Sequence, residues 1–370
     1  MIPKVVAAEI EKIEDIKQRR ARRGMVIVDP EKAPAASSYF KFTTLDDLLA
    51  EPKEEIAYAW DRTLPRGGFS IVCAKPKVGK STLARGLAVA ISRGEPFLGR
   101  ATQQGKVLYL CLEEKRTEVS EHFRRMGAVG GQILIFTGKA PGDVVAATME
   151  AVEEHSPAIV IIDPLSRFVR IADFNSYAEV TRQLEPLVDI GRLSTCQTHV
   201  MALHHNGKGG DLREGGDAVM GSTGFFAAVD TLLTMRKREK VRTIESTQRY
   251  GEDLIETIVH LDPLSGILQS VGDMNAFTMN ERKKAVLDVM GNDPLTEGAI
   301  KEMVVGSNGG LTSKAVRALF EENKLERSGG GKKGDPFLYR LPSSFTEEIY
   351  FPPGASDEEI DAIAAQERYA

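Results

Sequence analysis

Apolar residues run almost unbroken through 69–73, 107–112, 158–162 and 200–203, and each run gives way to polar or charged residues. Runs this short and this apolar read as strands covered on both faces, as in parallel sheets. Between them the spacing of apolar positions predicts helices over 83–92, 118–126, 144–155 and 177–192. Strands alternating with helices predict an α/β fold whose mostly parallel central sheet has helices on both sides. After Asp230 the rhythm changes: strand-like runs at 232–236, 241–246 and 254–261 follow one another closely and suggest antiparallel hairpins that extend the sheet. No internal repeat is visible.

The first strand leads directly into Ala74-Lys75-Pro76-Lys77-Val78-Gly79-Lys80-Ser81-Thr82. A strand, a glycine-containing turn and a helix opening on Lys-Ser-Thr form the pattern of a phosphate-binding loop. Backbone N–H groups of the turn and the positive end of the helix would surround the β-phosphate. Lys80 would reach the β- and γ-phosphates, and the Ser81 hydroxyl would ligate Mg²⁺. The pattern departs at its first position, where Ala74 replaces glycine. Alanine fits there if φ is negative and strains the loop if it is positive.

Other strand ends supply the remaining candidates. Asp163 closes the run at 158–162 and suits a magnesium role; its bland reading is a turn former. Hydrolysis also needs a group that orients water. Pro164 and Leu165 follow Asp163 and offer none, so Glu113 is preferred over Glu114 at the end of the run at 107–112. The alternative is a solvated acidic pair at the start of the next helix. His204 and His205 end the run at 200–203 but face opposite sides of a strand, which argues against one shared zinc. A γ-phosphate sensor or a loop anchor is the reading they support.

This order of loop, Glu113, Asp163, Leu203-His204-His205-Asn206-Gly207-Lys208, Gly221-Ser222-Thr223-Gly224 and Asp230 resembles the RepA-type branch of the RecA-like AAA ATPases. These are the hexameric replicative helicases of plasmids and phages, and the similarity covers about residues 45–270. The resemblance implies ATP and Mg²⁺ as cofactors, Glu113 as the water-activating carboxylate, Asp163 serving magnesium and His204-His205 as the sensor. It implies a trans arginine finger at Arg249, with Arg242 as rival. The implied assembly is a homo-hexamer on single-stranded DNA, working with replication proteins. Two loops would meet the strand: 167–175, with Phe168 or Phe174 stacking on bases, and 206–222, with Lys208 and Arg213 on the backbone. A flexible lid is the other reading of the glycine-rich one. A recombination ATPase forming filaments, or a DNA-binding regulator switched by nucleotide, remains as an alternative.

Beyond Asp273, helices predicted at 280–290, 296–304 and 312–322 precede two short strands around a basic glycine tip at 328–334. This resembles a winged helix, with Ser313, Lys314 and Arg317 near the start of its third helix and Lys332 and Lys333 on the wing. Such modules bind duplex DNA or protein. The predicted organisation is an arm and linker at 1–44, an ATPase core at 45–272, a winged-helix-like domain at 273–345 and an acidic tail at 346–370.

With a formal net charge of −5 the chain is not a DNA-coating protein, although a ring can confine positive charge to its channel. The basic block Lys17 to Arg23 is a solvated arm or a nucleic-acid contact. No apolar stretch is long enough to span a bilayer and no leader pattern opens the chain, so a cytoplasmic location without membrane contact is expected. Cys73, Cys111 and Cys196 have no zinc spacing and read as reduced thiols.

Overall fold

The computed structural model describes residues 42–343 apart from 54–55, 129, 174–175, 206–223, 239–240, 292, 305 and 307. The chain divides into two units, residues 1–55 and 56–370. The described part of the first carries one short helix, α1 (Leu45–Ala50), with no buried residue. Its first turn is capped by the Thr44 hydroxyl oxygen, which accepts from the Asp47 N–H at 3.2 Å.

The second unit begins with a small antiparallel pair, β1 (Tyr58–Trp60) and β2 (Leu64–Pro65). There follow β3 (Phe69–Ala74), α2 (Lys80–Arg93), β4 (Val107–Cys111), α3 (Arg116–Arg125), β5 (Ile133–Thr137) and α4 (Val144–His155). Next come β6 (Ile159–Asp163), α5 (Leu165–Phe168), α6 (Tyr177–Leu193), β7 (His199–His205) and α7 (Gly224–Ala228). Then β8 (Thr231–Arg238), β9 (Val241–Gln248), β10 (Thr257–Leu261) and β11 (Leu268–Asp273) complete a nine-stranded sheet of order β11-β10-β9-β8-β3-β7-β6-β4-β5.

From β8 to β5 the sheet is parallel, and from β8 to β11 antiparallel. The cause is connection length. A crossover needs about a dozen residues or more. Helices supply that length between the parallel strands, whereas two residues separate β8 from β9. This is the mixed α/β fold with a large, mostly parallel sheet that the pattern predicts.

Both faces are covered, and side chains alternate between them. Val72 and Ala74 of β3 join Leu83, Leu87, Val119 and Phe123 of α2 and α3. Phe69, Ile71 and Cys73 join Val152, Leu184 and Phe225 of α4, α6 and α7. One contact fixes α6 closely: a Cβ at Gly191 would lie 3.0 Å from the carbonyl oxygens of both Gly67 and Gly68. Cys73 and Cys111 are buried free thiols, and burial pushes each up to about 12.

The strands expected from sequence do not include β1, β2, β11 or β5, although β5 carries the apolar run Ile133-Leu134-Ile135-Phe136. β5 is the outer edge of the sheet, with Ile135 38% and Phe136 43% exposed, so it lacks the uniform burial that marks its neighbours.

The remaining elements gather on a third apolar cluster of Val286, Ile300, Ala315, Val316, Leu319 and Tyr339. They are α8 (Met274–Val289), β12 (Leu295–Thr296), α9 (Glu297–Met303), α10 (Gly309–Glu321), β13 (Glu326–Ser328) and β14 (Leu338–Arg340). The three strands form an antiparallel sheet of order β12-β14-β13. α8 starts six residues before the predicted helix because Asp273 caps it, accepting from Asn275 N–H at 2.8 Å. Arg327 lies between Phe320 and Phe337, 4.3 and 4.1 Å from their ring centres. No helix among the described residues is long and apolar enough to cross a membrane.

Candidate functional site

The C-terminal ends of β3, β4, β6 and β7 share one edge of the sheet, where parallel α/β folds place their ligands. At the end of β3, Ala74 is the last strand residue, in extended backbone, so a methyl group costs nothing there. The conformational demands fall further on, at Lys77 (φ 66°) and Gly79 (φ 120°). Gly79 caps α2 and no side chain caps that first turn, which leaves its N–H groups available to an anion.

Lys80 is 6% exposed and folds back over the loop. Its Nζ donates to the carbonyls of Ala74 at 3.0 Å and Lys75 at 3.3 Å, and to His205 Nδ1 at 3.0 Å. Burial lowers its pKa, opposed by the charges of Asp163 and Cys73.

Asp163 lies beside Cys111 in the ladder, and its carbonyl accepts from Leu112 N–H at 2.8 Å. Its peptide bond to Pro164 is cis. Burial raises the pKa of its carboxyl group, and hydrogen bonds from Ser81 and Tyr109 act against that rise. The Tyr109 hydroxyl donates to Oδ2 at 3.2 Å. The Ser81 hydroxyl and the Asp163 carboxylate are thus in contact at the mouth of the loop. Two hard oxygen donors beside free helix amides fit magnesium, which keeps several waters and takes few protein ligands. Among the described residues no group of three or more His, Cys, Asp or Glu could form a protein-only metal cage.

The two glutamates after β4 part company. Glu114 is gripped by Arg85, whose Nη2 lies 2.6 Å from Oε1 and 2.5 Å from Oε2. Glu113 is exposed, and its charge acts on His205. The histidines diverge likewise. His204 is buried with its ring 5.0 Å from that of Phe225, whereas His205 is exposed at the edge. Burial and then the neighbouring Lys80 charge lower the His205 pKa, against Glu113 and Asp163. A neutral ring is what an acceptor from Lys80 must be.

Arg249 sits elsewhere. Its N–H donates to Asp230 O at 2.8 Å and its Nη2 to Ala227 O at 2.7 Å, and its Nη1 is 3.7 Å from Asp230 Oδ1. Asp230 in turn accepts from the first N–H of β3, at Phe69. Arg249 is therefore at the end of β3 away from the loop, about 20 Å along the strand from its own Lys80. Arg242, paired across from Lys237, lies toward the loop edge.

One sequence-based expectation is corrected. Phe168 is 6% exposed and packs in the core beside Leu165, so it is not available to stack on bases. Its place on α5, the short helix that follows Pro164, turns it inward. Phe174, Lys208, Arg213, the basic block at 17–23 and the acidic tail lie outside the described residues. Arg85 and Tyr109 escape the sequence reading. A signal existed for the first: an arginine set among Leu83, Ala84, Leu87 and Ala88, in the buried stripe of a helix.

Among known families, the AAA domain profile matches residues 34–211. Within the second unit that match runs from β1 to β7 and takes in the loop and both strand-end carboxylates. No curated protein matches the chain. Among solved structures, one described as the crystal structure of the RadB recombinase superposes with a TM-score of 0.42 at 19% identity, covering 56% of this chain and 92% of that one. The matched AAA domain, with the parallel sheet and its phosphate-binding loop, supports a P-loop ATPase.

Proposed function

We propose that this chain is an ATP-driven DNA motor, a hexameric replicative helicase of the RepA type. The observation that carries the reading is the meeting of Lys80, Ser81, Asp163 and His205 at the end of β3, from two other strand ends and the start of α2.

Each residue has a task that its surroundings support. The uncapped first turn of α2 and the Lys80 ammonium hold the phosphates. Ser81 and Asp163 would hold Mg²⁺, which would supply charge neutralisation of the phosphates when bound. Glu113, exposed beside the site, orients the attacking water. An incoming phosphate competes with His205 for Lys80, since the other two acceptors are carbonyls of the loop itself. His205 ends β7, and the glycine-rich segment follows it directly in sequence, so phosphate occupancy can be passed to residues proposed to face DNA. Arg249 lies too far from its own loop to serve it, so its proposed task is the neighbouring subunit's γ-phosphate. Reaching it requires release from Asp230 and Ala227.

We read residues 273–345 as a winged helix. Three helices, a sheet of order β12-β14-β13 and a β13–β14 hairpin support that. Lys314 and Arg317 on α10 are exposed, as are Lys332 and Lys333 at the hairpin tip, a distribution suited to duplex phosphates.

The test is strand displacement on a forked substrate with ATP and magnesium. The wild-type chain should displace the strand. Lys80→Ala should lose at least about a hundredfold in ATP turnover, together with displacement. Turnover without displacement, with open helical assemblies on DNA, would replace the helicase reading by that of a recombination ATPase.

A further inference from the structure

A buried cation sits one turn beyond the loop, on the face of α2 that carries Ser81. Residues four apart on a helix project from the same side, so Ser81 and Arg85 look together toward the ends of β4 and β6. Ser81 meets Asp163 there, and Arg85 meets Glu114 through both carboxylate oxygens. The Arg85 side chain is 3% exposed and that of Glu114 32%. Arg85 Nε is also buried and has no hydrogen-bond partner among the described residues.

Stability does not explain this arrangement. A buried ion pair stabilises a fold no better than apolar side chains of equal volume, and an orphaned N–H makes it worse. The neighbouring positions Leu83, Ala84, Leu87 and Ala88 are buried and apolar, so a longer apolar side chain suits position 85. What an apolar residue cannot do is hold a carboxylate. Three acidic side chains, Glu113, Glu114 and Asp163, leave adjacent strand ends, and Glu114 and Asp163 repel each other. Left alone, Glu114 competes for the cation site of Ser81 and Asp163. It also carries with it the backbone on which Glu113 stands.

We propose that Arg85 is a positioning residue: by clasping Glu114 it fixes the end of β4 and thereby sets Glu113 where the water-orienting carboxylate is required. This rests on the ATPase reading above.

The experiment is steady-state ATP hydrolysis by the full chain, normalised to nucleotide sites titrated by calorimetry. The variants are Glu114→Gln, which keeps shape and one acceptor, and Arg85→Lys, which keeps charge but replaces the planar guanidinium, whose Nη2 reaches both Glu114 oxygens, by a shorter and more flexible ammonium. Each should lower kcat by about tenfold while KM for ATP stays within about twofold, because Lys80 and the α2 amides still bind the phosphates. Normal kcat per titrated site in both variants would overturn the assignment and leave the pair a packing feature. A rise in KM with kcat intact would also overturn it, by making the pair a nucleotide-binding element. So would a loss under Glu114→Gln as complete as under Glu113→Gln, since Glu114 would then orient the water itself. A wild-type chain without turnover would overturn the ATPase reading too, whereas equal turnover by wild type and both variants removes the Arg85 role alone.

Discussion

The two ends of β3 hold buried polar groups of similar chemistry in opposite situations. At the end away from the loop, His199 Nδ1 donates to Pro65 O at 2.7 Å and its Nε2 accepts from the Ser70 hydroxyl at 2.8 Å. Asp230 accepts from Phe69 N–H at 2.9 Å. These partners belong to neighbouring strand ends and turns of the same chain, and no ligand is needed to complete them. At the loop end, Lys80 leans on two loop carbonyls and an exposed histidine, and Asp163 carries a burial penalty that Ser81 and Tyr109 only partly offset. The α2 amides are uncapped. The first set is closed and reads as architecture; the second has partners that can be exchanged for a triphosphate and a cation. Burial alone does not distinguish them, but the permanence of the partners does.

The largest test of this contrast is at the loop end. Glu113→Gln should cut ATP turnover by about a hundredfold or more, with nucleotide affinity retained, since a positioned base contributes on that order. Calorimetry beside steady-state kinetics measures both. A matching loss of affinity would place Glu113 among the binding groups instead.

At the far end the expected effect is on stability and its pH dependence. Burial, the largest cause, lowers the His199 pKa from 6.5 to about 4, against the pull of Pro65 and Asp230. The folded chain thus holds this ring neutral where the unfolded chain protonates it. Its contribution is complete above pH 6.5 and is lost as pH falls from there toward about 4. His199→Phe should flatten that acid slope and cost about 1–3 kcal/mol at neutral pH, because Ser70 and the Pro65 carbonyl lose their partner. Turnover per folded molecule should not change. Denaturant titrations across pH, paired with activity, would show it; an altered KM would break the division between the two ends.

The smallest effect is expected where the loop pattern itself departs. Ala74 is buried in extended backbone, so Ala74→Gly should cost only about 0.5–1 kcal/mol and leave ATP affinity intact. A clear gain in affinity would show that the alanine restrains the loop.

How legible the site is from sequence depends on the residue. The loop at 74–82, Asp163 and the two histidines stand at the ends of uniformly apolar runs, and parallel strands bring such ends to one edge. Arg85 and Tyr109 lie inside a helix and a strand, where nothing in the spacing says which neighbour they meet. The edge strand β5 carries a clear apolar run, Ile133-Leu134-Ile135-Phe136, yet it is half exposed, because strand order alone places it at the border of the sheet. Phe168 was expected to face a nucleic acid and instead turns into the core, because one turn of helix after Pro164 decides its direction.

The amino-acid order by itself determined the alternation of strands and helices, the phosphate-binding turn and the strand ends that carry acids and histidines. These are local matters of periodicity and backbone demand. Which glutamate is clasped by Arg85, which histidine reaches Lys80 and which end of the sheet Arg249 occupies were decided only by tertiary structure. Each depends on contacts between segments far apart in the chain, and such contacts are set by strand order and burial.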